Sequence, residues 1–204
     1  MLAIGHLALG YLTGKGASKL FNVKVNLPLL LAASVIPDVD LLFIFMSHRG
    51  LTHSLIVIGL LAIPFAVKYR KAVLPYLVAV LSHVLIGDLM PSGVAYFWPI
   101  SRERFGLFSL EVSSFNLALV EVALFLVTMA LMYKWNDLQR LLKPANKNWL
   151  LIISSGALVG PLLWYDKVGD PIPQLLIIPS VVLLCIFAYS LVVDLHFKLQ
   201  SNQV

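Results

Sequence analysis

Within the first 90 residues stand His6, Asp38, Asp40, His48, His53, His83 and Asp88, which include four of the five histidines in the chain. Imidazole nitrogen and carboxylate oxygen are the ligands of Zn, Mn and Fe centres, and this set suffices for one or two divalent ions. Thiolate chemistry is absent: the one cysteine, Cys185, lies in the last apolar run and reads as a buried small hydrophobe. The spacing raises a geometric problem. Asp38 and Asp40 in "PDVD" are two apart, and on a regular helix such residues point about 200° away from each other. Both face one site only if the helix is distorted, and Pro37 supplies a reason. His83 and Asp88 are five apart, and Gly87 between them permits local unwinding. Arg49 beside His48 is the natural anion partner, because a guanidinium binds two phosphate oxygens at once. Ser101, Arg102 and Arg104, in "SGVAYFWPISRERFG", are expected to meet substrate phosphate or lipid headgroups, with Trp98 as an interface anchor.

The elements that must position these groups are membrane helices. The chain of 204 residues is 60% hydrophobic and 12% charged, where a soluble domain carries about 25% charge. Apolar runs near the ~20-residue span length recur along it. The expected fold is an all-α, polytopic transmembrane bundle of six or seven helices in one integral membrane domain, 1–204. Residues 1–106 carry the site motifs and residues 107–204 the supporting helices. The helices are placed at about 2–13, 27–45, 54–67, 73–89, 115–134, 149–164 and 175–195. The first is a half-span unless it continues through "GKGASKLF". The start, "MLAIGHLALG", lacks a basic n-region and does not read as a cleaved signal peptide.

Charge gives the topology. Lys15, Lys19, Lys24, Lys68, Arg70, Lys71, Lys134, Arg140, Lys143, Lys147 and Lys198 fall on one face, and only Arg49, Arg102, Arg104 and Lys167 on the other. The positive-inside rule puts the first group in the cytoplasm. Loops 46–53, 90–114 and 165–174 then lie outside, and the seven candidate ligands share the extracytoplasmic layer of a multi-pass cell-membrane protein. Ionisable groups at membrane depth are expensive and usually functional. The plainer readings are interhelical hydrogen bonding for His6 and ion pairing of the aspartates with Arg49. Glu111 and Glu121 read as a loop charge or a helix-pairing residue, Asp166, Asp170 and Asp194 as loop or interface charges, and His196 as an interface residue. The sequence contains no H-E-x-x-H, no P-loop and no G-x-S-x-G elbow.

The run of "G-H-x-x-x-G" around His6, "PDVD", "HRGLTHS", "SHVLIGDLMPSG" and "WPIS" resembles the membrane-bound metal-dependent hydrolases. This is the YdjM-like family, described as LexA-binding, inner-membrane-associated hydrolases. The resemblance covers about residues 1–106. The family usually has Thr where this chain has Pro91 or Ser92. The resemblance implies a metal-dependent hydrolase in the membrane, and the His/Asp pattern is distantly similar to zinc-dependent phospholipase C. From the residues and the resemblance together, the expected activity is hydrolysis of a phosphoester in a lipid or amphiphile by metal-activated water. Asp40, Arg49 and His53 are the expected catalytic groups, with Asp40 either a ligand or a proton acceptor. Partners are the membrane and its lipids; no nucleic acid and no obligate protein partner is expected. The alternatives are a metal-ion or proton transporter, or a non-catalytic membrane protein with a structural metal.

Overall fold

The computed structural model describes residues 1–43, 48–89, 93–106, 114–163 and 173–201. Glu111, Asp166, Lys167, Asp170, Pro91 and Ser92 lie outside the described residues. The described chain is helical: α1 (Ala3–Leu20), α2 (Leu27–Val35), α3 (Leu55–Tyr69), α4 (Leu74–Ser82), α5 (Phe115–Lys134), α6 (Asp137–Leu141), α7 (Leu151–Leu163) and α8 (Ile177–Ser201). Two of these, α5 and α8 with its leading turn from Gln174, are long and apolar enough to cross a membrane. The others fall short for local reasons. Pro37 stops α2, and the chain continues as a 3₁₀ helix, Ile36–Leu42. A π-helical turn, His83–Gly87, replaces the end of α4.

Helix α1 is the centre of the bundle and packs on α2, α4 and α5. It does not stop near residue 13. Gly14 lets Leu30 and the Pro75 carbonyl come close, and the helix runs on to Leu20, about 27 Å at 1.5 Å per residue. Lys15 and Lys19, expected in a loop, therefore belong to its last turns. Lys15 Nζ pairs with the buried Asp137 at 2.6 Å, Tyr11 donates to the same carboxylate at 2.8 Å, and Lys19 lies over the Trp135 ring. At the other end α1 has no side-chain cap of its own. The buried Glu121 of α5 serves instead, accepting from Leu2 N at 2.9 Å and Gly5 N at 3.1 Å. Glu121 is thus the helix-pairing residue anticipated.

Asn26, Ser54 and Ser114 cap α2, α3 and α5 through their side-chain oxygens. Helix α8 extends six residues past its expected end at 195, with an Asp194–Lys198 pair at 2.6 Å supporting the extra turn. Cys185 is exposed on α8 rather than buried, because the helix turns that face away from the bundle. Leu60, Leu61, Ile63, Phe65 and Val67 of α3 and Ile178, Val181, Val192 and Leu195 of α8 are exposed too, far more apolar surface than water tolerates.

The α1–α2 crossing depends on Gly10. A Cβ there would lie 2.1 Å from Ser34 Cβ and 3.1 Å from its Cα. Gly10→Ala must push the helices apart, and thermal or denaturant unfolding in detergent should show a loss of about 1–3 kcal/mol.

Candidate metal centre

Four side chains converge from three separate elements. The 3₁₀ helix after α2 carries Asp38, the short turn Leu51–His53 carries His53, and the π turn carries His83 with Asp88 just beyond it. In the π turn the Asp88 N–H donates to the His83 carbonyl at 2.9 Å, an i to i+5 bond. That geometry brings residues five apart to one face and is typical of functional helix distortions. Gly87 is needed inside it, since a Cβ would lie 2.5 Å from His6 Cε1 and Nδ1.

The four facing atoms are Asp38 Oδ1, His53 Nε2, His83 Nε2 and Asp88 Oδ2. His53 Nε2 is 3.0 Å from Asp88 Oδ2 and 3.6 Å from Asp38 Oδ1. His83 Nε2 is 3.2 Å from Asp88 Oδ2 and 3.4 Å from Asp38 Oδ1. The two Nε2 atoms are 3.3 Å apart. A tetrahedron with metal–ligand bonds of about 2.0–2.1 Å has edges of about 3.3–3.4 Å. The five measured edges scatter about that value.

The hydrogen bonds around the cluster fix which lone pairs point inward. His83 Nδ1 lies 2.8 Å from the Ser34 carbonyl, an acceptor only, so Nδ1 carries the proton and Nε2 of the neutral ring is a lone pair. His53 Nδ1 faces Asp40 Oδ2 at 3.3 Å and Thr52 Oγ1 at 3.0 Å. Its Nε2 is likewise directed at the centre. Two carboxylate oxygens and two ring nitrogens thus meet with His53, His83 and Asp88 almost fully buried. Among the described residues, neither Asp88 oxygen has a well-aligned hydrogen bond. Such a concentration of lone pairs calls for a cation, a proton or a metal. Burial alone would make the His53 ring less basic. Contacts to Asp38, Asp40 and Asp88 outweigh it and hold its pKa well above the ordinary histidine value.

Asp38 and Asp40 do not share one face, and they need not. The 3₁₀ segment that follows Pro37 places them on opposite sides of a single imidazole: Asp38 toward His53 Nε2 and Asp40 toward His53 Nδ1. Asp40 is engaged on both oxygens. Oδ1 meets His48 Nδ1 at 3.0 Å, and Oδ2 accepts from Arg49 N at 3.1 Å and Thr52 Oγ1 at 2.8 Å. It therefore organises the whole 48–53 turn, in which Arg49 takes φ +62°. Asp40, His48 and His53 form a second group whose ligand atoms lie within 4.8 Å of one another. Thr52, which ties Asp40 to His53, and the Ser34 carbonyl were not visible as site groups in the sequence. A hydroxyl one residue before a histidine, or a backbone carbonyl, carries no distinctive signal.

The remaining expected residues sit differently. His6 is not one of the four: its Nε2 lies 3.0 Å from the Met1 carbonyl and 3.8 Å from Asp88 Oδ1, and its ring stacks on His83 at 3.6 Å. His48, with its side chain 26% exposed, is the outermost member of the second group. Arg49 Nε is 3.3 Å from Asp88 Oδ1, the oxygen turned away from the four-atom cluster. Ser101 Oγ accepts from Glu103 N. Arg102 and Arg104 are exposed, and among the described residues nothing joins them to the cluster.

A search among curated proteins finds no match, and a search among solved structures finds none either. The sequence model of the family described as YdjM inner membrane protein matches residues 1–165, a stretch that includes every member of both His/Asp groups. The chain belongs to the YdjM inner membrane protein family.

Proposed function

We propose that this protein is a membrane-embedded, metal-dependent hydrolase acting on a phosphoester of a lipid or amphiphile. The close set of Asp38, His53, His83 and Asp88, with five of its ligand-atom separations between 3.0 and 3.6 Å, carries the reading. Two nitrogens and two oxygens in that arrangement suit Zn first and Mn or Fe next. The count we infer is one ion per chain, since both Asp40 oxygens are already taken by the 48–53 turn. Bound there beside a water molecule, a divalent ion would act as a Lewis acid and would bring the pKa of that water toward neutrality. The protein residues do the rest. Asp40 orients the His53 ring through Nδ1, as carboxylates do behind metal-binding histidines. Asp38, whose side chain is 11% exposed, is the most open of the four and marks the side from which water and substrate arrive. Arg49, which lies 3.3 Å from Asp88 Oδ1, would neutralise the charge that grows on a phosphoryl oxygen.

Access from the lipid is supported by what the ligand-bearing elements present outward. Ile36 and Phe43 bracket the aspartate segment, and Leu85 and Ile86 lie between His83 and Asp88; all four are exposed. An amphiphile can reach the cluster laterally with its chains on this apolar rim. We infer a multi-pass arrangement in which the shorter helices are completed by the 3₁₀ and π segments, with the centre toward the extracytoplasmic face.

Two tests apply. Purified protein should release phosphate or a phosphorylated headgroup from lipid phosphoesters, lose that activity to a chelator, and regain it with Zn or Mn. Failure of every phosphoester with metal-loaded protein removes the hydrolase reading. Asp40→Asn should retain the fold but weaken metal binding about 10–100-fold, read by competition with a chelating dye. An unchanged affinity would mean that Asp40 does not act through His53.

One observation favours transport as a second reading. Further along α1, Thr13 Oγ1 lies 3.1 Å from Ser82 Oγ, and the buried Tyr11 and Asp137 meet the half-buried Lys15. Flux of Zn or Mn into protein-loaded vesicles would support it.

A further inference from the structure

Residues 93–106 form a loop pinned at both its base and the metal centre. Val94 and Phe105 exchange backbone hydrogen bonds of 2.9 and 3.0 Å, closing it. Ser54, the residue after His53, donates to the Trp98 carbonyl at 2.6 Å and lies 3.2 Å from that of Tyr96. Leu55 N donates to the Tyr96 carbonyl at 3.0 Å, and Ala95 N to the Arg49 carbonyl at 3.3 Å. The loop is thus fastened directly to the turn that presents His53.

Its two sides differ sharply. Val94, Ala95 and Tyr96 are buried. The tip is turned outward, with Ile100 83% and Phe97 46% exposed, and Phe97 packs edge-on against the Phe105 ring at 5.6 Å. Immediately after this apolar tip come Arg102, Glu103 and Arg104, all exposed, with a net single positive charge. A rigid loop that holds an isoleucine and a phenylalanine in water gains nothing from doing so. Apolar and aromatic side chains beside guanidinium groups fit one environment well, the boundary between acyl chains and lipid phosphates.

We propose that the tip from Phe97 to Arg104 docks on the phospholipid headgroup layer beside the metal centre. Phe97 and Ile100 enter the acyl region, and Arg102 and Arg104 meet lipid phosphates. Ser54 then transmits a fixed depth to His53, so that the centre lies level with the phosphoester it is proposed to cleave. The inference deepens the lipid-substrate reading but rests only on membrane residence, not on metal or turnover.

The test places an environment-sensitive dye at the tip, using Ile100→Cys in a Cys185→Ser background. The full chain is reconstituted in phosphatidylcholine vesicles with and without phosphatidylglycerol. Dye emission should shift to the blue. Lipids brominated just below the headgroup should quench it more than lipids brominated near the bilayer centre, and aqueous iodide should have little effect. Phosphatidylglycerol should strengthen the shallow quenching, and Arg102→Gln with Arg104→Gln should abolish that gain. Iodide quenching without any response to brominated lipid overturns the proposal. So does a phosphatidylglycerol effect that survives both arginine substitutions. Metal content measured on the same samples reports separately on the centre, so either idea can fail alone.

Discussion

His53→Ala should abolish divalent-metal binding, whereas His48→Ala should keep at least part of it and His196→Ala all of it. His53 is the one ring shared by both groups of candidate ligands. Its removal deletes an inward nitrogen and also strips Asp40 and Thr52 of the ring they orient. Asp38 and Asp88 then lose a partner each from a buried site, and leaving buried charges uncompensated costs about 3–5 kcal/mol. The apo form of the variant should accordingly melt lower than the apo wild type. Elemental analysis of purified, detergent-solubilised protein, paired with a thermal melt, reads both effects. Metal retained at the wild-type ratio in His53→Ala would show that the cluster is an ion-pair network only.

Gly87→Ala should be nearly as severe, though it removes no ligand. The new methyl group would lie 2.5 Å from two atoms of the His6 ring. That ring cannot retreat freely, because it is stacked 3.6 Å from His83. Either His6 drives His83 out of line or the π turn rewinds and carries Asp88 away. Overpacking of this kind costs about 1–3 kcal/mol, and two of the four ligands move. Metal affinity should fall by at least about tenfold, as with loss of a ligand-orienting contact. Gly156→Ala in α7 is the control: nothing lies within 4 Å of its Cβ position. It should leave metal binding untouched and slightly stabilise the helix, by about 0.5–1 kcal/mol. Equal behaviour of the two variants would refute the steric account.

Much of the site was legible because its cost is legible. Carboxylates and imidazoles in an apolar chain stand out, and Pro37 and Gly87 announced the two helix distortions that place them. The 3₁₀ segment and the π turn are the physical form those distortions take. Helix α5 matches its expected bounds, Phe115 to Lys134, because a long, mainly apolar run ends there at a lysine. The division of labour between Asp38 and Asp40 was not legible. Sequence spacing suggested that both had to face one point, whereas an imidazole has two nitrogens and can be approached from two sides. Nor was the role of His6, which depends on a ring stack across 77 residues of chain. The full length of α1 was not legible either. The expected end near residue 13 fell before Gly14, while Gly10 and Gly14 are points of close approach to α2 and α4 inside a longer helix. The bulk of the bundle read as membrane spans, yet among the described residues only α5 and α8 are both long and apolar enough alone.

The central claim is that Asp38, His53, His83 and Asp88 hold a single divalent ion. X-ray absorption at the metal edge of the purified, metal-loaded protein tests it most directly. The expected spectrum shows the four protein nitrogen and oxygen ligands and one water oxygen at about 2.0–2.2 Å, with the outer-shell scattering of two imidazoles. A shell of six oxygens without imidazole scattering, or a spectrum unchanged by Asp38→Ala, would contradict it.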